Sequence, residues 1–234
     1  MKSTKKKVVE PKQEKMRTVM ISAPSYDGKV DVWHCTALAE TAKIGLTKNI
    51  NIIPIYMSYD ALVQRARNDI FQMVYMNDIV DDLIFIDCDV DWNPADIFKL
   101  LNYDLPIVAA AVPKKSDYEQ YGVKASSKLE IDDNGLVEVD GVGTAFMRVR
   151  RDAVKKIYER SDEYNEPHKE KPIRMVFNID IVNGELYSED MVFCKKWKDM
   201  GGKIYVDPSI VCGHSGTKKW IGNFYNWLKI FNKG

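Results

Sequence analysis

The chain has 234 residues, 45% of them apolar, which is enough to bury one sizeable core. Its 34 basic and 34 acidic side chains give a formal net charge of zero, so net charge gives no argument for a nucleic-acid or membrane partner. Because no apolar run reaches the roughly 18 residues of a membrane span, we expect a soluble, cytoplasmic protein.

Basic residues are concentrated at the amino terminus. Residues 2–17 carry seven Lys or Arg side chains against Glu10 and Glu14, with few apolar residues among them. Such a stretch cannot bury enough apolar surface to offset the entropy of ordering. We therefore predict a disordered basic tail over residues 1–16 and one folded domain over 17–234. A phosphate-binding arm is the alternative interpretation of the tail.

The four cysteines are scattered along the chain without a CxxC pair, at Cys35, Cys88, Cys194 and Cys212. Neither a zinc-site spacing nor a disulfide framework is visible in this pattern. It is typical of a reducing compartment, in which cysteines act as small apolar residues.

The first half of the chain alternates strand and helix patterns. The predicted strands are 18–22, 50–57, 83–86 and 106–112, and the predicted helices are 31–47, 59–77 and 94–103. Asn93 is a suitable cap for the third helix, whose first residue is Pro94. Since each crossover is long enough to contain a helix, the pattern predicts an α/β fold. We expect a mostly parallel central sheet with helices on both faces.

The second half of the sequence lacks this regular alternation and predicts a smaller, mixed or antiparallel part. The sequence Asp132-Asp133-Asn134-Gly135 between two short apolar runs indicates a hairpin. Further strands are predicted at 143–149, 175–182, 203–206 and 209–212, with helices at 152–160 and 189–200 and a last amphipathic helix ending near Phe231. The polar segment 161–174 is predicted to be a surface loop.

Three carboxylates follow the third strand at alternate positions, Asp87, Asp89 and Asp91. If the extended geometry continued, all three side chains would point the same way and repel one another. A divalent cation with oxygen ligands, Mg²⁺ or Mn²⁺, is the simplest compensation. The carboxyl ends of parallel strands are also where open α/β sheets bind ligands. For Asp91 we favour helix capping or solvent exposure.

Other motifs stand in a characteristic order around this DxD. They are Arg65-Ala66-Arg67-Asn68-Asp69 before it and, after it, Gly141-Val142-Gly143-Thr144-Ala145-Phe146-Met147, Ser188-Glu189-Asp190 and His214. The order resembles that of GT-A fold glycosyltransferases, and more narrowly of the compact enzymes encoded by bacteriophages and large DNA viruses. The resemblance covers about residues 17 to 220, and it would place the protein in the host cytoplasm if the chain is viral.

The resemblance implies a nucleotide-sugar donor, with a UDP-sugar as first expectation. Asp87 would lie against the donor's ribose or base, while Asp89 binds a Mn²⁺ or Mg²⁺ ion that bridges the diphosphate. His214 would complete the metal site, to which Asp87 also contributes. The cation would stabilise the charge that develops on the leaving diphosphate.

The resemblance also implies further donor contacts. Gly141 and Gly143 would let the backbone approach the sugar, although they also suit a turn before a strand. Pro24, Tyr26 and Asp27 would hold the nucleotide base, with Tyr26 stacking on it or lying exposed in a turn. Arg67 and Asn68 open the second helix where the family contacts the donor, and Arg67 would suit a diphosphate.

The acidic pair Glu189-Asp190 corresponds to the family's general base. Asp190 is the first choice for accepting the proton of the acceptor hydroxyl, and Glu189 is the second. Acidic residues in the first turn of a helix also complement its dipole, whatever the function. We expect inversion at the anomeric carbon, with retention as the alternative.

Two other classes of function fit the same residues. A nucleotidyltransferase that makes nucleotide sugars would also use an α/β fold and acidic metal ligands, but the loop 23–28 lacks the expected Gly-rich, basic character. A non-catalytic metal- or glycan-binding module is the third hypothesis. The acceptor is predicted to be a glycan or small molecule, with a hydroxymethylated base in DNA as the alternative. The oligomeric state stays open.

Overall fold

The computed structural model describes residues 15–167 and 169–233. Apart from its last two residues, the predicted basic tail lies outside the described residues. In the described part, the helices are α1 Val32–Thr47, α2 Val63–Met76, α3 Pro94–Asn102, α4 Arg151–Arg160, α5 Glu189–Asp199 and α6 Phe224–Phe231. The strands are β1 Arg17–Ser25, β2 Ile50–Ser58, β3 Asp82–Ile86, β4 Val90–Asp91, β5 Ile107–Ala109, β6 Val123–Lys124, β7 Val137–Val139, β8 Gly141–Val142, β9 Phe146–Arg150, β10 Glu163–Tyr164, β11 Ile173–Arg174, β12 Asp180–Val182, β13 Glu185–Tyr187, β14 Ile204–Val206, β15 Val211–Ser215 and β16 Lys219–Asn223.

A seven-stranded sheet in the order β2-β1-β3-β9-β5-β14-β7 forms the centre of the molecule. Strands β2, β1 and β3 are parallel neighbours, as are β5 and β14. Strand β9 is inserted antiparallel between β3 and β5, and β7 is antiparallel to β14. Five of the seven strands thus run in one direction, which confirms the predicted, mostly parallel α/β sheet.

Both faces of this sheet are covered, because alternate residues of its strands enter two different apolar clusters. Leu83 and Phe85 of β3 pack in the cluster that contains residues of α2, α4, α5 and α6. Ile84 and Ile86 pack on the other face, with residues of α1 and α3. The uninterrupted apolar run of β3 follows from this double coverage.

The helices of the first half begin close to the predicted residues. Asp31 caps α1 by accepting a hydrogen bond from the Trp33 amide at 2.9 Å, and Asn93 caps α3 with Pro94 in its first turn. Helix α2 begins at Val63, four residues later than predicted. The preceding residues form a turn in which Asp60 accepts from the Leu62 amide at 2.8 Å.

Predictions for the second half were partly wrong. Between the predicted hairpin arms the structure has an isolated bridge, Ile131 to Val137, because β7 pairs with β14 instead. The predicted strand 175–182 is extended only at its end, in β12, which pairs with β13 across Asn183 and Gly184. Both turn residues have positive φ, 53° and 84°. The sequence Asn-Gly is the usual signal for such a turn, and it was overlooked.

Smaller sheets surround the central one. The antiparallel sheet β16-β15-β4 brings the carboxyl-terminal part of the chain against the segment after β3. The predicted loop 161–174 contains the short pair β10–β11. Among the described helices, none has the length and apolar character that crossing a bilayer requires.

Candidate functional site

A cleft of about 610 Å³ opens at the carboxyl ends of β1, β2 and β3. Its volume is in the range of small-molecule sites, and its position is the usual one for ligands of open α/β sheets. It is lined by Pro24, Ser25, Tyr26, Asp27, Lys29, Val30, Asp31, Asp60, Ala61, Val63, Arg67, Asp87, Cys88, Asp89, Lys115, Ser215 and Gly216. Six of the predicted site residues are among them.

Arg67 links the first carboxylate of the DxD to the acidic pair of α5. Its guanidinium is buried, and Nη2 donates to Asp87 Oδ1 at 3.2 Å while Nη1 donates to Glu189 Oε1. Arg67 and Glu189 are 122 residues apart in the sequence. This ion pair compensates the negative charge of Glu189, and it holds the first turn of α5 beside the cleft.

Asp89 and His214 meet at the edge of the cleft. His214 Nε2 lies 3.3 Å from Asp89 Oδ1, and the other carboxylate oxygen forms an ion pair with Lys115. His214 Nδ1 lies 2.8 Å from the carbonyl oxygen of Pro113, which can only accept, so Nδ1 carries a proton. In the neutral imidazole, the lone pair of Nε2 therefore faces the carboxylate of Asp89.

The charges of this pair depend on its partners. Burial disfavours the ionised form of Asp89, but hydrogen bonds from His214 and Lys115 outweigh it and lower the pKa of Asp89 to about 2. Burial also opposes protonation of His214, yet the hydrogen bonds to Asp89 and Pro113 raise the pKa of His214 above its ordinary value. A cation between the two groups, either a proton or a metal ion, is favoured.

These residues fit a divalent metal ion as two ligands of an open site. Adjacent ligands of an octahedral Mg²⁺ are about 3 Å apart, close to the separation of Asp89 Oδ1 and His214 Nε2. The bond from Nδ1 to a backbone carbonyl is the usual outer support of a metal-binding histidine. Within the described residues, no group of three or more His, Cys, Asp or Glu side chains forms a complete metal site.

The three carboxylates after β3 do not share one face, contrary to the geometry assumed from their spacing. The strand ends at Ile86, and a turn closes with a 2.9 Å hydrogen bond from the Val90 amide to the Asp87 carbonyl. Asp91 instead accepts from Lys219 at 2.9 Å, under β15, while the cap of α3 is Asn93. The turn separates the carboxylates, so each has its own cationic partner.

Asp190 lies beside the glycine segment. One oxygen, Oδ1, accepts from the Met191 amide at 2.8 Å and from the Ser188 hydroxyl. The other faces Gly143, where a Cβ atom would be 3.4 Å from Oδ2. A Cβ atom on Gly141 would be only 2.7 Å from the sulfur of Met191. The two glycines thus allow the β8 segment to approach the first turn of α5 closely.

The remaining predicted residues differ in their surroundings. Pro24, Tyr26 and Asp27 line the cleft after β1, where Tyr26 is 73% exposed and Asp27 pairs with Lys29. Asn68, in contrast, is buried. Its side chain donates to the Phe177 carbonyl at 3.0 Å and accepts from the Phe177 amide at 2.7 Å. We assign Asn68 to the packing of α2 and leave it out of the donor contacts.

Several cleft residues were not singled out from the sequence. Lys29, Asp31, Asp60, Lys115 and Ser215 line the cleft. The first three follow the carboxyl ends of β1 and β2, so the rule that pointed to Asp87 could have found them. Ser215 depends on the pairing of β15 with β4, which has no local signal.

Comparisons with known proteins bear on the fold. No protein-family model and no curated protein matches the sequence. Among solved structures, the A197 protein from STIV is 18% identical over 86% of each chain, with a TM-score of 0.53. The catalytic domain of Drosophila β1,4-galactosyltransferase 7 is 14% identical over 87% of this chain and 67% of that one, with a TM-score of 0.46. The 4-diphosphocytidyl-2C-methyl-D-erythritol synthase from Anaerococcus prevotii is 10% identical over 94% and 99%, with a TM-score of 0.43.

The strand order, and the similarity to the A197 protein from STIV, support the mostly parallel α/β fold that the resemblance in sequence implied. At such identities the similarity concerns the fold and not the activity.

Proposed function

We propose that this protein is a metal-dependent glycosyltransferase that moves a sugar from a nucleotide-diphosphate sugar, with a UDP-sugar as expected donor, to an acceptor hydroxyl. The observation that carries the proposal is the Asp89–His214 pair at the edge of a cleft that Asp87 and Arg67 also line. The pair supports a cation, and the cleft has the volume for a nucleotide.

In this proposal Asp89 and His214 hold a Mn²⁺ or Mg²⁺ ion, which would neutralise the charge of the departing diphosphate. Asp87, fixed by Arg67, faces the ribose or base. The exposed ring of Tyr26 stands at the mouth of the cleft, where it can stack on the base.

Asp190 is the proposed general base. It accepts the proton of the acceptor hydroxyl as that oxygen bonds to the anomeric carbon and the bond from this carbon to the diphosphate oxygen breaks. Glu189, the second choice from sequence, is ion-paired with Arg67. Asp190 has no cationic partner among the described contacts, and its Oδ2 is directed toward Gly143. The geometry therefore favours Asp190 over Glu189.

The proposal is tested by Asp190→Asn, measured as metal-dependent donor turnover across a panel of nucleotide sugars. We expect a rate loss on the order of 10²–10⁴-fold, with Mn²⁺ and donor affinity retained, because the amide cannot accept the proton. Asp199→Asn is the matched control, since Asp199 lies at the other end of α5 and pairs with Lys195 on the surface. It should keep wild-type turnover.

Other outcomes would point to other functions. Release of pyrophosphate from a nucleoside triphosphate and a sugar phosphate would identify a nucleotidyltransferase. Activity unchanged by Asp190→Asn would contradict the assignment of the base and favour a binding module. NMR of the product anomer distinguishes inversion, which we expect with Asp190 as base, from retention.

For the acceptor we propose a glycan or small molecule over modified DNA. The hairpin β12–β13 directly precedes Ser188 and Asp190 and exposes Ile181 and Leu186. It also carries Asp180, which has no ion-pair partner among the described contacts and would repel a phosphate backbone, whereas Glu185 pairs with Lys124 at 3.3 Å. Parallel assays with oligosaccharides and hydroxymethylated duplex DNA test this choice, and transfer to the DNA alone would refute it.

A further inference from the structure

His34 is a buried histidine that the proposed chemistry does not use. It lies on the inner face of α1 with no exposed surface, between the rings of Tyr56 and Trp92. Ring centroids are 5.7 Å and 4.9 Å away, both in edge-on contacts. A polar ring in such a place needs partners for both nitrogens.

Those partners define one tautomer. Nδ1 lies 3.1 Å from the carbonyl oxygen of Asp87 and 3.0 Å from that of Val90. Because both are acceptors, Nδ1 carries the proton and donates to both. Nε2 then accepts from the Tyr56 hydroxyl at 2.6 Å. Burial lowers the pKa of His34, so the ring stays neutral in this arrangement.

The two carbonyls are the first and last of the turn that carries the DxD carboxylates. Within this turn, residues 87–90, the Cys88 carbonyl accepts from the Asp31 amide at 2.9 Å and the Asp89 carbonyl from the Ser215 amide at 2.7 Å. All four carbonyls of the turn are thus hydrogen-bonded. Among the residues that the structure describes, His34 is the one whose side chain joins the two ends of the turn.

We infer that His34 is a positioning residue, which fixes the turn 87–90 through Nδ1 and so holds the Asp89 carboxylate where it faces His214. The inference rests on the proposed function, because its consequence is preorganised binding of a divalent cation. Partners that bind and orient a metal-ligating side chain directly usually contribute 10- to 100-fold to metal affinity, and we take this range as the scale for His34, which acts on the ligand through its backbone. The side chain touches neither donor nor metal, so its effect passes through the backbone of the turn.

Two substitutions separate the contacts of the ring. In His34→Asn the side-chain amide nitrogen can take the place of Nδ1 and keep the hydrogen bonds to the turn carbonyls. The longer side chain of His34→Gln reaches toward Tyr56 instead and leaves those carbonyls without this donor. Mn²⁺ affinity of the apoprotein, measured by electron paramagnetic resonance titration, should stay within about threefold of wild type for His34→Asn. It should weaken about 10- to 100-fold for His34→Gln. Thermal melting of both variants is recorded alongside.

Equal Mn²⁺ affinity in the two variants, whether unchanged or weakened, would overturn the inference. Long-range ¹H–¹⁵N spectra of the wild-type protein give a test that needs no variant. They should show the Nδ1–H tautomer of His34 between pH 6 and 8, and an Nε2–H tautomer would overturn the inference as well.

Asp89→Asn is titrated in parallel. If it binds Mn²⁺ like wild type, the proposed metal site is wrong. If it loses Mn²⁺ while His34→Gln does not, only the role of His34 is wrong.

Discussion

Strand β3 has a charged cluster at each end, and the two clusters are built differently. At its amino end Asp82 is 1% exposed and receives Arg148 Nε at 2.7 Å and Arg17 Nε at 2.6 Å. Both guanidinium groups also donate to backbone carbonyls, of Leu105 and Leu101 among others. At its carboxyl end the side chains of Asp87 and Asp89 are 31% and 40% exposed.

The difference teaches which carboxylates are available to a ligand. Both oxygens of Asp82 are bound by guanidinium groups, of the buried Arg148 and of Arg17, which is 33% exposed, so neither oxygen is available to a ligand and the role of the cluster is structural. Asp89 is held by a flexible lysine, whose place a metal ion can take, and by a histidine, whose charge depends on pH. Similar residues at and just beyond the two ends of one strand therefore serve structure at one end and fit a ligand site at the other.

Asp82→Asn should have the largest effect. It would leave Arg148 buried without its counterion and lower the free energy of unfolding by about 3 kcal/mol or more. Urea denaturation measures this loss. The control is Asp104→Asn, because Asp104 is 99% exposed and pairs only with Arg150 among the described contacts. A loss below about 1 kcal/mol for Asp82→Asn would mean that the two ends of β3 do not differ as described.

Asp89→Asn should show the opposite profile. Because the side chain is partly exposed, the free energy of unfolding should change by less than about 1 kcal/mol. Mn²⁺ affinity should fall by more than about tenfold, since a charged oxygen ligand is lost. Calorimetric titration and urea denaturation on the same samples check both halves of the prediction. Strong destabilisation with unchanged Mn²⁺ binding would make this cluster structural too.

Lys115→Met should have a smaller effect, on the Mn²⁺ affinity of the cluster at the carboxyl end of β3. The ammonium group competes with a metal ion for Asp89 Oδ2, so its removal should tighten Mn²⁺ binding about fivefold in the absence of nucleotide. The neighbouring Lys114→Met is the control, because none of the described contacts joins the Lys114 side chain to Asp89, whereas Lys115 binds it directly. Weaker Mn²⁺ binding by Lys115→Met would contradict this competition.

The pH dependence of stability should reveal the smallest effect. Since the pKa of His214 is raised, its ion pair with Asp89 is fully present below the unfolded pKa of about 6.5 and is lost as pH rises through the folded pKa. The free energy of unfolding of wild type should exceed that of His214→Gln by less than about 1 kcal/mol near pH 5.5. This difference should shrink by pH 8.5. Denaturation curves at several pH values measure it. A difference that grows with pH would contradict the pairing.

Local patterns were sufficient for most of the first half of the fold. The apolar run of β3, the helical spacing of α1 and the Asn93-Pro94 start of α3 are all properties of neighbouring residues. Their outcome depends little on the rest of the chain. The short strands of the second half were harder. Strand β7 has only three residues, and its partner was decided by the sheet rather than by the nearby turn.

His34 shows why part of the site could not be predicted from local sequence patterns. With Ala37 and Thr41 it forms a buried stripe at helical spacing, which suggests simple packing. Its partners, the carbonyls of Asp87 and Val90, are more than 50 residues away and carry no side-chain signal. A backbone acceptor can be matched to its donor only once both are placed in space.

The sequence by itself determined the alternation of strands and helices, the helix caps and the arrival of carboxylates at the end of a buried strand. These follow from periodicity and backbone chemistry within about ten residues. Only the tertiary structure decided that β9 lies antiparallel beside β3, that Arg67 joins Asp87 to Glu189, and that His214 faces Asp89. Such contacts depend on which distant segments share the core, and this depends on the packing of the whole chain.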